Sequence, residues 1–385
     1  MKKLLLCCFL LLNACFPEYV HAQTLTSDVD YKATLGPVRT VEVEFAAIVT
    51  APYHTKILKV WMPLPQSDVA QKISDRSFHV FPGDVKPSIS SEKKYGNRFA
   101  YFEFKNPQGA QIIRQKFRVE VSELSWKLKP REFQTITKWP AMFDRYLEQP
   151  IEVAMNGEFQ EIIRQIQSRS QSVVQRSEVG LFSAMKWIDK NLTYDHVIAS
   201  LQADPLHALT HKRGHCSDYH GLCAALGRSL GYPTRVTYGL QLFPKSSPSH
   251  CKMEAFISPY GWVSFDLSET QKLIAKLEES DREDKEVLIE NLRDRMKQGY
   301  RENSWVLLTR GTNYELSPPA SAPVKVVRTI YAEADGVPLP EPDPSNEQQG
   351  KFAWMTAHKF TSEQPLEAAF KNLERLKSYS TATPK

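Results

Sequence analysis

The chain has 385 residues, 42% hydrophobic and 24% charged, which is enough apolar material for two packed domains and too much for a disordered or fibrous protein. Its net charge of +5 comes from 49 basic and 44 acidic residues mixed along the whole length. Such an even mixture forms no basic stripe, so no nucleic-acid partner is expected.

Residues 1–22 read as an export signal. Lys2 and Lys3 precede an apolar run, and Val20-His21-Ala22 has the small-x-small pattern cut by signal peptidase before Gln23. A lipobox competes with this reading: in Leu12-Asn13-Ala14-Cys15, Cys15 would carry a lipid anchor and become the mature N-terminus, although Phe16 after it is atypical. The run is shorter than the ~20 residues that span a bilayer and no other long one follows, so no transmembrane span is expected. The protein is therefore placed in the periplasm or secreted, with a lipoprotein as the alternative. After cleavage Cys216, Cys223 and Cys251 remain, and an odd number of cysteines in an oxidising compartment leaves at least one free or paired with another molecule.

Thr40 to Val49, Lys56 to Met62, Phe99 to Phe104 and Ile112 to Val121 alternate or are β-rich, and Pro, Gly and Asn turns separate them. They predict an N-terminal antiparallel β-sandwich-like domain, residues 23–145, with no chemistry of its own. The period changes near Pro150. Phe159, Ile162, Ile163 and Ile166 mark one helix, and Leu181, Ala184, Met185 and Ile188 a second after the cap candidate Ser177. Leu222, Ala225, Leu226 and Ser229 or Leu230 mark a third, closed by Gly231 and Pro233, with Cys216 at its N-terminus. Strands follow at "TRVTYGLQLF", "KMEAFISP", "GWVSFDLS", "WVLLTRGTNYELS" and "VKVVRTIYAEADG", giving an α+β catalytic domain over 146–337. Within it, 271–300 is a charged helical insertion, a solvated flap or a lid over the cleft. Residues 338–385 read as a linker and a C-terminal amphipathic docking helix with Leu366, Ala369, Phe370, Leu373 and Leu376 on one face.

A thiol nucleophile needs a base, and the base needs an orienting group. Downstream of Cys216 come His250 and then Asp266, on predicted strands joined by the "SPYG" turn, which can set imidazole and carboxylate side by side. A helix N-terminus and a neighbouring imidazolium both lower a thiol pKa. Other readings of Cys216 are a buried thiol and a zinc ligand with His220, Cys223 and His250 or Cys251. No Cys-x-x-Cys pair occurs and the spacing fits no common zinc site, so neither a metal nor a cofactor is expected. A Cys223–Cys251 disulfide would suit an oxidising compartment and leave Cys216 free. Asp218, Arg235, Glu254 and Trp262 read first as structural residues.

Four ordered blocks carry a resemblance: Gly214-His215-Cys216-Ser217-Asp218, Gly231-Tyr232-Pro233-Thr234-Arg235, His250-Cys251-Lys252-Met253-Glu254 and Gly261-Trp262-Val263-Ser264-Phe265-Asp266. The sequence resembles the transglutaminase-like superfamily, papain-like in its catalytic centre, in the exported bacterial form with an N-terminal β-domain. The resemblance covers roughly residues 40–335 and implies a core whose nucleophile stands at a helix N-terminus packed on an antiparallel sheet. It also implies Cys216 as nucleophile, His250 as base and acid, and Asp266 as orienting residue, acting on a peptide or protein substrate, cell-wall peptide included, through a thioester. The backbone N–H of Cys216 becomes half of an oxyanion hole, and Tyr194 is a candidate second donor or a core aromatic. Lys252 stands where the family usually has Trp; it and Trp262 are candidates for lining the substrate cleft, with Lys252 altering substrate choice or lowering the His250 pKa. The alternative function is a module that has lost catalysis and serves as a periplasmic binding or scaffold protein.

Overall fold

A computed structural model describes residues 25–169, 176–342 and 353–380. The export signal and Cys15 lie outside the described residues, as does the Ser177 side chain. The strands are β1 (Thr34–Thr50), β2 (Ile57–Leu64), β3 (Gln71–Phe81), β4 (Ser88–Ser91), β5 (Arg98–Lys105), β6 (Ala110–Ser125), β7 (Thr193–Tyr194), β8 (Arg213–Gly214), β9 (Thr234–Gln241), β10 (Ser249–Ile257), β11 (Gly261–Phe265), β12 (Tyr300–Arg301), β13 (Trp305–Arg310), β14 (Tyr331–Ala334), β15 (Val337–Pro338) and β16 (Trp354–Thr361). The helices are α1 (Asp144–Leu147), α2 (Ile151–Ala154), α3 (Gly157–Arg169), α4 (Arg176–Asn191), α5 (Pro205–His211), α6 (Cys216–Ser229), α7 (Leu267–Glu278), α8 (Lys285–Gln298) and α9 (Leu373–Ser380).

Two sheets, ordered β12-β6-β1-β16 with β3 also on β6, and β15-β14-β2-β5-β4, face each other across a core of Val41, Val43, Phe45, Val60, Phe102 and Phe117. This is the expected α+β architecture with a strand-rich N-terminal region. The sandwich is nevertheless completed by later chain: β14 pairs with β2 with Tyr331 opposite Trp61, and β16 pairs with β1 from Val49↔Trp354 to Glu42↔Thr361. Both long strands have two edges, and an open edge is closed by whichever segment reaches it.

The site stands on the third sheet, β11-β10-β9-β13, with every residue of β9, β10 and β11 buried. Helix α6 packs on it and is itself buried from Cys216 to Gly227. Two glycines of α6 and its approach are explained by space. A Cβ at Gly214 would lie 2.6 Å from the Asp218 Cβ, and one at Gly221 would lie 2.4 Å from the Ala203 carbonyl oxygen. The charged insertion forms α7 and α8, whose Leu273, Ile274, Leu277, Leu288, Ile289 and Leu292 make a small core closed by Leu376 of α9. At the C-terminus the expected long helix is broken: Ala369–Lys371 is a single 3₁₀ turn and α9 starts at Leu373. Among the described residues no helix is long and apolar enough to cross a membrane.

Candidate active site

Cys216 is the first residue of α6, and His215 before it holds extended backbone at φ −81°, ψ 174°. The N–H of His215 donates to the Asp218 carboxylate at 2.9 Å, so Asp218 folds back on the chain entering the helix. Ser200 Oγ also donates to that carboxylate. This turn fixes the thiol at the point where the helix presents unpaired N–H groups.

His250 comes from the start of β10 and Asp266 from the residue after β11, where it caps α7: Oδ1 accepts the N–H of Glu269 at 3.0 Å. The β10–β11 register brings the two together, and His250 Nε2 donates to Asp266 Oδ2 at 2.7 Å. Trp305 Nε1 holds the His250 carbonyl at 3.1 Å. Cys216 stands close enough to the ring for its charge, after that of Asp266, to favour the His250 imidazolium. The structure therefore brings together the three residues singled out by the sequence.

Burial alone would raise the Cys216 thiol, but hydrogen bonding from the Cys251 thiol and the positive potential of His215 and His250 hold it well below the usual range. Burial disfavours the His250 imidazolium; Asp266 and Cys216 outweigh it and raise His250 to about 9. Burial likewise works against the Asp266 carboxylate, and Lys252 and His250 overcome it, holding the acid well below its ordinary value. Together these describe a thiolate–imidazolium pair backed by a carboxylate.

Tyr194 is half-buried with its ring 5.6 Å from that of His215, beside the start of α6, and burial, with the charges of Cys216 and Glu269, raises it well above a free phenol. It stays protonated, beside the N–H that would meet an oxyanion. Lys252 and Trp262, the candidates for the substrate cleft, are both buried, at 0% and 1% exposure. Lys252 Nζ is 2.6 Å from Asp266 Oδ2 and 2.9 Å from Glu302 Oε2. Trp262 lies under the Arg235 guanidinium, 3.8 Å from its ring centroid, and donates to the Ser27 carbonyl at 2.9 Å. Residues 25–31 and Phe370 cover this face of the sheet, which is why neither side chain opens to solvent. Arg235 pairs with Glu254 at 2.7 Å and Tyr31 donates to the same carboxylate at 2.7 Å, so these residues are structural, as the sequence suggests.

Two neighbours of the site, His215 and Glu302, were not singled out by sequence, and a third, Cys251, was weighed there only as a zinc ligand or a disulfide partner. His215 Nδ1 is 3.1 Å from Cys216 Sγ, and its adjacency to the cysteine is the signal that could have found it. Cys251 is unbridged, like Cys216 and Cys223, so the Cys223–Cys251 disulfide is not formed; Cys251 instead meets His220 Nδ1 at 3.4 Å and the Cys216 thiol. Glu302 reaches the site through sheet pairing that no local pattern reveals. His220 accepts the N–H of Leu267 at Nε2, 3.1 Å away, and burial lowers it to about 4, so it is neutral although Asp266 lies 3.7 Å away. Both of its nitrogens are thereby engaged, and among the described residues no group of three or more His, Cys, Asp or Glu side chains converges as metal ligands do.

The model of the transglutaminase-like superfamily core matches residues 168–267, which hold Tyr194, Cys216, His250 and Asp266. Over those residues the chain is similar to the transglutaminase-like core. Its fold is shared with a protein of Cytophaga hutchinsonii provisionally named a cysteine protease, at a TM-score of 0.59 and 13% identity over 88% of this chain and 96% of that one. An uncharacterized protein of Haemophilus influenzae is 22% identical over 320 residues, 74% of this chain and 83% of its own. The periplasmic domain of TgpA from Pseudomonas aeruginosa aligns over 68% of this chain and 92% of its own at 15% identity, with a TM-score of 0.30, too low to define a common fold. Within the matched residues, α6, β10 and the residue after β11 present thiol, imidazole and carboxylate in that order.

Proposed function

We propose that this protein is an exported thiol acyl-transfer enzyme that attacks a peptide or carboxamide carbonyl, most simply as a peptidase or amidase on peptides such as those of the cell wall. Transfer to an amine, as by a protein-glutamine acyltransferase, is the same chemistry with a different acceptor. The observation that carries the reading is the buried contact of His250 with Asp266 at 2.7 Å behind a thiol at a helix N-terminus. The Cys216 thiolate adds to the carbonyl carbon, and the oxyanion takes hydrogen bonds from the Cys216 N–H and the Tyr194 hydroxyl. His250 gives its proton to the leaving nitrogen, the C–N bond breaks and a thioester remains. Water or an amine then loses a proton to His250 as it attacks, and Cys216 leaves as thiolate.

Iodoacetamide should modify Cys216 ahead of Cys223 and Cys251, and glutamine-containing or cell-wall peptides should leave an acyl adduct on Cys216 visible by mass spectrometry. A Cys216 no faster than free cysteine in a folded protein would defeat the proposal. Tyr194→Phe should lower kcat by about 100-fold with KM little changed; an unchanged kcat would make Tyr194 a core aromatic. The low exposure of the site, 3% at Cys216 and 2% at His250, favours the second reading, a binding or scaffold module without catalysis. Thiol-probe labelling lost in both Cys216→Ser and His250→Ala supports the enzyme, and no labelling under reducing conditions supports the module.

A further inference from the structure

Lys252 is fully buried, and a buried cation needs counter-charge. It has two. Its Nζ lies 2.6 Å from Asp266 Oδ2, the same oxygen that accepts from His250, and 2.9 Å from Glu302, which is 3% exposed. The Trp305 and Phe370 rings flank the ammonium at 5.4 and 5.2 Å. Glu302 directly follows β12, and β12 is an edge of the β-sandwich, with Tyr300 opposite Ser125 and Arg301 opposite Leu124 of β6. The sandwich thereby delivers a carboxylate beneath the triad.

We propose that Lys252 and Glu302 form a buried counter-charge pair that positions Asp266 and sets how strongly Asp266 holds the His250 imidazolium. The pair rests on the catalytic reading of Cys216, His250 and Asp266 given above. Lys252 competes with His250 for one carboxylate oxygen, and Glu302 moderates that competition by taking part of the ammonium's charge. The other groups facing this cluster are Cys216 and neutral His220 from α6, Cys251 from β10, Arg39 from β1, whose charge acts on Glu302, and Glu269 from α7, the last paired with Lys272 and Lys371. Of these, His220 feels the Lys252 charge, which helps to hold its imidazole down.

The test is the pH profile of inactivation by iodoacetate, whose carboxylate is drawn by the imidazolium, so the rate rises as Cys216 ionises and falls as His250 loses its proton. Glu302→Gln leaves Asp266 to Lys252 alone and should move the alkaline limb down by about one pH unit. Lys252→Met with Glu302→Gln removes both charges, leaves Asp266 undivided on His250 and should move the limb up by about as much. Opposite movements support the pair. Limbs that stay in place while both melting temperatures fall, or that move in the same direction, overturn it. If the double variant does not fold, the downward shift of Glu302→Gln against a wild-type limb in Glu302→Asp decides the matter, and a Glu302→Gln limb at the wild-type position overturns the pair. Inactivation that persists in Cys216→Ser, or a wild-type profile without a bell, would instead sink the catalytic reading itself.

Discussion

Taking a thiolate out of water costs several kcal/mol unless compensating charge and hydrogen bonds surround it. At Cys216 the compensation comes from the Cys251 thiol, His215 and His250. Asp266 supports the arrangement from behind, and Asp266→Asn isolates its charge, because asparagine caps a helix about as well as aspartate and α7 keeps its N-terminus. His250 is raised to about 9 with Asp266 the leading favourable influence. It is therefore charged below that pH and neutral above it. The substitution removes this support, so the alkaline limb of the iodoacetate profile should retreat by one or more pH units, on the order of what an adjacent opposite charge supplies. A limb that stays near pH 9 in Asp266→Asn would take Asp266 out of the site. At this scale the sequence was informative where a residue's type announced its chemistry: Cys216, His250 and Asp266 stand in ordered blocks. It was silent on Glu302 and offered Cys251 only as a metal ligand or disulfide partner, because the place of both depends on where a side chain is carried by its neighbours.

Helix α6 is the element that makes the site, and its placement depends on close approach rather than on propensity. At Gly221 a Cβ would come within 2.4 Å of the Ala203 carbonyl oxygen, backbone that cannot step aside cheaply. Gly221→Ala should destabilise the fold by about 1–3 kcal/mol in urea unfolding and lower the reactivity of Cys216, since the helix must shift to admit the methyl. An unchanged midpoint would show that the segment at Ala203 yields. The start of α6, the apolar faces of α3 and α4 and the strands β9, β10 and β11 were all legible, because their periods are strong and their ends carry Gly or Pro. Strand β3 was not. Its Gln71–Phe81 run has few buried apolar residues, sits on the outer side of β6 and breaks register between Ser74 and Ser77, where Asp75 has a φ of 54°. The C-terminal helix was drawn too long because Leu366, Ala369 and Phe370 have helical spacing while the chain there uses Phe370 to cover Lys252.

Across the whole molecule the chain leaves the sandwich, builds the third sheet and returns to the sandwich at β12, β14 and β16. Those returns pair strands far apart in sequence, and no local pattern encodes them, which is why the sandwich reads from the sequence as a purely N-terminal unit. Trp354, buried on β16 in the sandwich core, measures what the last return contributes: Trp354→Ala should cost about 3–5 kcal/mol of global stability, and a loss below 1 kcal/mol would make β16 an accessory strand. All of this scaffolding serves one claim, that the folded protein holds Cys216 as a thiolate beside the His250 imidazolium at neutral pH. The ultraviolet absorbance of the thiolate, taken as the difference between wild type and Cys216→Ser across the pH range, tests it most directly. The midpoint should lie well below the ~8.5 of a free cysteine and move upward in His250→Ala; a midpoint at or above ~8.5, unmoved by His250→Ala, would mean that Cys216 is no thiolate at neutral pH.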